Sequence, residues 1–309
     1  MNSQPFVSIC CITYNQARYI RQCIDGFLAQ QTNFSFEIII NDDCSTDGTI
    51  GIIKEYAERY PETIKPIFHI ENQFRKGING MFRSFCFPVA YGKYVALCEG
   101  DDYWDDPLKL QKQIDFLESH SDYSMCFTRS RVLLEVNTTC YLNCFDTEDR
   151  DYSATELFDN WIVPTASIVM RQDVKEELIN WDKRLINGDI VFVERAAHMG
   201  KIRGMSDYTC VYRIQNKGVT YDAKQSLSRI KSYPEHFECI KEWFPMIDSN
   251  VICKTLAKSY YERAILQTEN ELKRKDFMMA DKYVPGYCKT MKIQNLKSYF
   301  KKFLHKLLS

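Results

Sequence analysis

The stretch Glu99-Gly100-Asp101-Asp102 places three carboxylates in four positions, directly after the apolar run Tyr94-Val95-Ala96-Leu97-Cys98. Like charges this close repel one another and need either full solvation or a compensating cation. Hard oxygen ligands delivered by a strand to a turn suit Mg²⁺ or Mn²⁺ carrying a diphosphate. A solvated acidic turn is the competing explanation, and a second acidic strand end shifts the balance away from it. Residues 36–40 read as a strand running into Asn41-Asp42-Asp43-Cys44-Ser45-Thr46-Asp47-Gly48. Ser45 or Thr46 is expected to cap the helix that starts near Thr49, which explains Ser45 and Asp47 but does not require Asp42 and Asp43. A third strand end lies at Thr13-Tyr14-Asn15. There an aromatic such as Tyr14 can stack on a uracil-type base while a carboxylate accepts its imide N–H.

These side chains need a frame. Residues 6–13, 36–40, 64–70 and 94–98 read as strands, and 19–30, 49–60 and 80–91 as helices. The first helix shows the spacing of Ile20, Cys23, Ile24, Phe27 and Leu28. Alternating strands and helices imply parallel pairing in an open, doubly wound α/β sheet. Such sheets gather ligands beyond the carboxyl ends of their strands, where both acidic clusters fall. Further on, 108–119 reads as a helix, 123–135 as a strand or strand pair, and 136–151 as a polar excursion. A strand at 162–170, helices at 173–180 and 189–198, a last strand at 208–214 and a loop at 215–220 follow. From residue 225 the pattern is helical, which puts a boundary near Val219.

At 309 residues the chain can bury a substantial core. A formal net charge of -1 gives no global field that would draw it to nucleic acid. The 13 cysteines form no Cys-x-x-Cys pair, and the five histidines show no ligand spacing, so neither a disulfide framework nor structural zinc is expected. A reducing cytoplasm fits this usage. Residues 1–5 do not begin a basic-then-apolar leader, and no apolar run approaches spanning length. Residues 282–309 contain no acid, and Ile293, Leu296, Phe300, Phe303, Leu304 and Leu307 recur at helical spacing among lysines. Such a helix either lies on an anionic membrane at the inner face of the cell or docks on the protein.

Val7-Ser8-Ile9 through Thr13-Tyr14-Asn15, then Glu37-Ile38-Ile39-Ile40-Asn41-Asp42-Asp43-Cys44-Ser45-Thr46-Asp47-Gly48-Thr49, then Glu99-Gly100-Asp101-Asp102, resemble the family-2 inverting glycosyltransferases in order and spacing. The resemblance implies a Rossmann-like A-type fold, a nucleotide-diphospho-sugar donor and Mn²⁺ or Mg²⁺ as cofactor. It implies a catalytic domain over 1–219, with a donor half over about 1–106 and an acceptor half over about 107–219, then a helical region over 220–309. Donor-base contacts fall on Tyr14 and Asp43, with Thr13, Asn15 and Asp42 alongside. The DxD-type acids fall on Asp101 and Asp102, one holding the ribose and the other the metal, with Asp102 the expected metal ligand. Glu99 stands at the motif's first acid position. Arg75 and Asn79, with Lys76 and Arg83, lie where the family carries an Asn and a basic residue near the donor.

Asn187-Gly188-Asp189 opens an apolar helix, in the region where the family places its general base. Inversion needs a carboxylate that deprotonates the attacking hydroxyl as the bond to diphosphate breaks, and Asp189 is expected in that role, the alternative being a plain helix cap. Lys217 or Arg213 would reach the diphosphate from a closing loop. Trp104, Trp161 and Thr165 would border the acceptor cleft. The expected reaction moves sugar, most readily from a UDP-sugar, to a bacterial surface glycan or its lipid carrier. One rival is a sugar-phosphate nucleotidyltransferase, which needs a Gly-rich loop where Tyr14-Asn15-Gln16-Ala17-Arg18 stands. The other is a relative that binds nucleotide sugar without turnover.

Overall fold

The computed structural model describes residues 4–135, 139–142, 146–215, 223–292 and 294. Most of the expected C-terminal basic helix (293 and 295–309), and Lys217, lie outside the described residues. One compact unit takes residues 4–183 and 187–215, and a second takes Arg184–Ile186 with residues 223–292.

The first unit opens with alternating elements: β1 (Val7–Thr13), α1 (Ile20–Leu28), β2 (Phe36–Asp42), α2 (Thr49–Arg59), β3 (Ile64–Phe68) and β4 (Tyr94–Glu99). β1 is central and pairs in parallel with β2 and β4, and β3 adds in parallel outside β2. Val7, Ile9, Cys10 and Cys11 are fully buried, as expected of a strand covered on both faces. The register aligns Thr13 with Asp42 and Ile12 with Glu99. All three strands therefore end at one edge. Adjacent strands lie about 4.8 Å apart, so the two acidic turns start about 10 Å from each other.

The rest of the unit follows as β5 (Tyr103–Trp104), α3 (Lys109–Ser119), β6 (Tyr123–Glu135), β7 (Thr139–Leu142), β8 (Asp151–Tyr152), α4 (Ala154–Asp159), β9 (Ile168–Arg171), α5 (Gln172–Leu178), α6 (Gly188–Met199) and β10 (Lys201–Gln215). The strand order β3-β2-β1-β4-β9-β6-β10-β5 puts the short antiparallel β9 between β4 and β6. β6 and β10 pair in parallel along most of their length. The second unit holds α7 (Ala223–Trp243), α8 (Ser249–Leu266) and α9 (Asn270–Tyr283). No helix among the described residues is long and apolar enough to cross a membrane.

Several local expectations change. The helix foreseen at 80–91 is a π turn over Phe82–Cys86 followed by a 3-10 turn over Phe87–Val89. Pro88 lacks an N–H and crowds the carbonyl four residues earlier, which stops an α-helix from running through. α2 is not capped by Ser45 or Thr46: Gly48 is the capping residue, at φ 100, and makes no side-chain bond. The Asp47 carboxylate instead accepts the Thr49 N–H at 3.1 Å and its hydroxyl at 2.6 Å. β10 begins at Lys201 rather than 208, because register shifts around Met205 and Tyr208 break the alternation that would mark a longer strand. The strand expected from 162 starts only at Ile168, after a 3-10 turn at Thr165–Ser167.

Candidate active site

The turn after β1 is sewn to the turn after β2. Asn15 sits at φ 53, its N–H donates to Ser45 Oγ at 2.8 Å, and its Oδ1 accepts from the Thr46 N–H at 2.7 Å. Gln16 N–H donates to Thr49 Oγ1 at 2.9 Å, and Ala17 N–H to Asp47 Oδ2 at 3.0 Å. Burial alone would raise the Asp47 carboxyl, but these bonds outweigh it and hold it below its ordinary value. Asp42 is fully buried, and both its oxygens accept from Ser45, at 2.9 and 2.6 Å. Its carboxylate thereby holds this turn together.

Asp43 turns the other way. Its N–H donates to the Thr13 carbonyl at 3.0 Å, and its carboxylate accepts the Gln73 and Phe74 N–H groups at 2.6 and 3.1 Å. At 4% exposure Asp43 shapes the loop at residues 73–74. The more open group is Tyr14, 36% exposed, whose hydroxyl accepts from Arg75 Nη2 at 3.3 Å. That bond brings Tyr14 and Arg75 together. Asn79 lends its carbonyl to Arg83 Nη2 at 3.1 Å.

The turn after β4 begins on the other side of β1, where Gly100 N–H donates to the Ile12 carbonyl at 2.9 Å. A Cβ on Gly100 would lie 2.5 Å from Gln16 Oε1 and 2.9 Å from Thr13 Cβ, so only glycine permits this approach. Asp101 Oδ2 accepts from Gln215 Nε2 at 2.7 Å. Asp102 is 2% exposed, and its Oδ1 accepts the Arg213 N–H at 2.7 Å. That bond ties Asp102 to β10, while its other oxygen, Oδ2, is buried without a hydrogen-bond partner. Arg213 is committed too. It donates to Glu135 Oε1 at 2.7 Å, Gln22 Oε1 at 2.9 Å and the Asp101 carbonyl at 2.8 Å, and so is not free to reach a diphosphate.

Burial pushes the Glu99 carboxyl up to about 8, and the charges of Asp101 and Asp189 add to the rise, while a Thr165 side-chain hydrogen bond opposes it. Asp101 and Asp102 are raised as well, each chiefly by burial. Thr13 Oγ1, Gln16 Oε1 and Asp102 Oδ2 are buried polar atoms without a hydrogen-bond partner. Crowded acids and orphaned oxygens fit a divalent cation with phosphate oxygens completing its shell. Among the described residues no three His, Cys, Asp or Glu side chains are grouped to hold a metal by themselves.

Asp189 lies in the first turn of α6, one residue past Gly188, and its Oδ1 accepts its neighbour Ile190's N–H at 2.9 Å. Its charge acts on Glu99, so it stands in the same electrostatic field as the β4 turn. Of the acceptor candidates, Thr165 reaches Glu99, and Trp161 lines a surface cavity of about 490 Å³ with Arg150, Asp159 and Asn160. Trp104 is 3% exposed, donates Nε1–H to the Ala166 carbonyl at 2.9 Å, and packs edge-on to Phe27. Gln215 and Gln16 were not singled out as site residues from the sequence, since a lone glutamine carries no pattern.

Farther along α6, Glu194 is fully buried with neither carboxylate oxygen hydrogen-bonded, and burial pushes its carboxyl up to about 8. A folded pKa above the unfolded value means that the unfolded chain ionises first as pH rises. Stability is therefore lost between about pH 4.5 and 8, by about 3 kcal/mol at pH 7. Glu194→Gln should match the parent near pH 4 and exceed it by up to about that amount at pH 7 in urea denaturation. Parallel pH profiles for the two proteins would contradict this.

A curled mixed sheet with carboxylates at the ends of its parallel strands, followed by C-terminal helices, is the A-type glycosyltransferase fold. The chain belongs to glycosyl transferase family 2, whose family model matches residues 8–171. It is 39% identical over 223 residues to an uncharacterized protein of Mycobacterium tuberculosis (strain ATCC 25618 / H37Rv), covering 70% of this chain and 61% of that protein. The match thus spans under two thirds of that relative's length. A second relative is the UDP-Glc:alpha-D-GlcNAc-diphosphoundecaprenol beta-1,3-glucosyltransferase WfaP of Escherichia coli, 36% identical over 113 residues, 37% of this chain and 41% of that one. Among solved structures, S. aureus TarS 1-349 in complex with UDP-GlcNAc aligns with a TM-score of 0.64 at 18% identity, over 89% of this chain and 79% of that chain. The mannosyltransferase PcManGT from Pyrobaculum calidifontis, in complex with GDP-Man and Mn²⁺, aligns at 0.55 and 15% identity, over 96% and 88%.

Proposed function

We propose that residues 1–219 form an inverting glycosyltransferase that moves a sugar from a nucleotide-diphospho-sugar, of the UDP class, to a hydroxyl of a glycan or lipid-linked acceptor. Within it, residues 1–106 serve the donor and 107–219 the acceptor. The observation that carries this reading is the field shared by Asp189, Glu99 and Asp101 at the carboxyl edge of the sheet. The names of two relatives lend support to the donor class, since WfaP uses UDP-Glc and TarS was solved with UDP-GlcNAc. A role in bacterial surface-polysaccharide synthesis follows from the same analogy.

Tyr14 stacks on the base, with Arg75 steadying its hydroxyl, and Asp43 keeps the loop at 73–74 folded over the pocket. Thr13 and Asn15 form the floor between the two acidic turns. Asp101 and Asp102 would hold the divalent cation, with Asp102 also fixing the turn through its bond to the Arg213 N–H. When bound, Mn²⁺ or Mg²⁺ neutralises charge on the departing nucleoside diphosphate. Asp189 takes the proton of the acceptor hydroxyl as its oxygen bonds to the anomeric carbon. The C1–O bond breaks on the opposite face, and its electron pair leaves with the diphosphate. Trp161 and Thr165 line the acceptor side. The C-terminal basic segment is the proposed contact with an anionic membrane.

Thermal unfolding with nucleotide sugars, with and without Mn²⁺, tests the donor site. UDP-sugars should raise the midpoint only when metal is present, by about 2.7 kcal/mol of stabilisation at a hundredfold excess over Kd. If no nucleotide sugar shifts the transition, the reading fails.

A further inference from the structure

Trp181 has no place in the mechanism so far, yet it stands between the two sides of the site. Its ring lies under the Arg83 guanidinium, 4.8 Å from carbon to centroid, and stacks on Phe192 of α6 at 5.9 Å and 23°. Arg83 is itself pinned, with Nη1 donating to the Ile179 carbonyl at 3.2 Å and Nη2 to the Asn79 carbonyl at 3.1 Å. Two glycines face the indole. A Cβ on Gly80, which sits at φ +75, would lie 2.6 Å from it, and one on Gly188 would lie 3.5 Å from it. Gly80 follows the loop whose amides Asp43 holds, and Gly188 immediately precedes Asp189. Phe192 extends the contact to Phe82 and Phe87, at 6.2 and 5.4 Å.

We infer that Trp181 is a positioning residue: its indole fixes the first turn of α6, and with it the Asp189 carboxylate, against the donor-side segment at 79–83. A flat ring held between a guanidinium and a second ring has few alternative rotamers, so it transmits position without contacting substrate. The loop shaped by Asp43 leads into 79–83, so donor-side order and the base share one wall. This rests on the role proposed for Asp189. Displacement of a reacting group by about 1 Å costs about 100-fold in rate.

Trp181→Ala should lower kcat for sugar transfer by about 10- to 100-fold while the donor KM stays within about threefold, and Trp181→Phe should recover most of the loss. Hydrogen exchange should report faster exchange in Trp181→Ala at amides 188–192 and 79–83, with the β1 and β4 amides unchanged. That second readout needs no turnover. Absence of transfer in the parent protein would sink the catalytic reading while exchange still tests the wall. Unchanged exchange at 188–192 in Trp181→Ala, or a wild-type kcat in that variant, would overturn the inference. Should Trp181→Ala fail to fold, Trp181→Leu read by the same exchange decides, with local acceleration supporting the inference and parental protection overturning it.

Discussion

Asp189→Asn should bind nucleotide sugar as the parent does and transfer it about 10²- to 10⁴-fold more slowly, the range that general base catalysis supplies. The substitution preserves shape and keeps an oxygen for the Ile190 N–H, so the first turn of α6 should survive. What is lost is the capacity to take a proton. Asn also removes one negative charge from the surroundings of Glu99, which lowers the repulsion on that carboxylate. The measurements are donor-induced thermal shift and initial transfer rate on the same preparation. Undiminished transfer would remove Asp189 from the reaction, and lost donor binding would make it a structural residue.

The second large effect lies at Arg213. Its side chain is 4% exposed, and it bridges Glu135, Gln22 and the Asp101 carbonyl while packing against Tyr19 and Tyr103, at 4.6 and 5.4 Å from their centroids. Removing one partner of a buried ion pair strands the other charge in a poorly solvated place, which costs about 3–5 kcal/mol. Arg213→Met should lose stability of that order in urea denaturation. Arg18, 3.6 Å from the other Glu135 oxygen, softens the penalty but is itself mostly exposed. The double variant Arg213→Met with Glu135→Gln should recover part of the loss, because the stranded charge goes with it. A loss below about 1 kcal/mol in the single variant would class this pair with ordinary surface ion pairs.

How much of this was readable beforehand depends on how local the signal was. β1, β2, β3 and β4 are legible because each is a short apolar run bounded by turn residues, whatever the distance to its partner in the chain. The acceptor side was harder. β9 inserts antiparallel between β4 and β6, and β10 hides its first residues behind shifts in register. Among the site residues, type and neighbourhood were legible but direction was not. Asp101 and Asp102 are adjacent and chemically identical, yet one accepts from Gln215 near the surface and the other is enclosed against Arg213. A turn sends successive side chains to opposite sides, and its geometry comes from contacts far along the chain. An aromatic that follows an acidic turn suits a sugar-binding wall or the core equally, and the burial of Trp104 depends on Phe27 and Ala166, far away in the chain. Trp181 was passed over altogether, since a single ring has no periodicity to reveal it.

The bond from Arg213 N–H to Asp102 joins residues 111 positions apart, and the one from Arg213 to Gln22 spans 191. As the polypeptide leaves the ribosome, β1 through β4 have all their sheet neighbours at hand except β9. The acidic turn after β4, however, waits for another hundred or so residues before its inward carboxylate finds a donor. A nascent chain released early would carry a formed β1–β4 half with a loosely held acid turn, making the arrival of β10 the event that sets the turn in its final place.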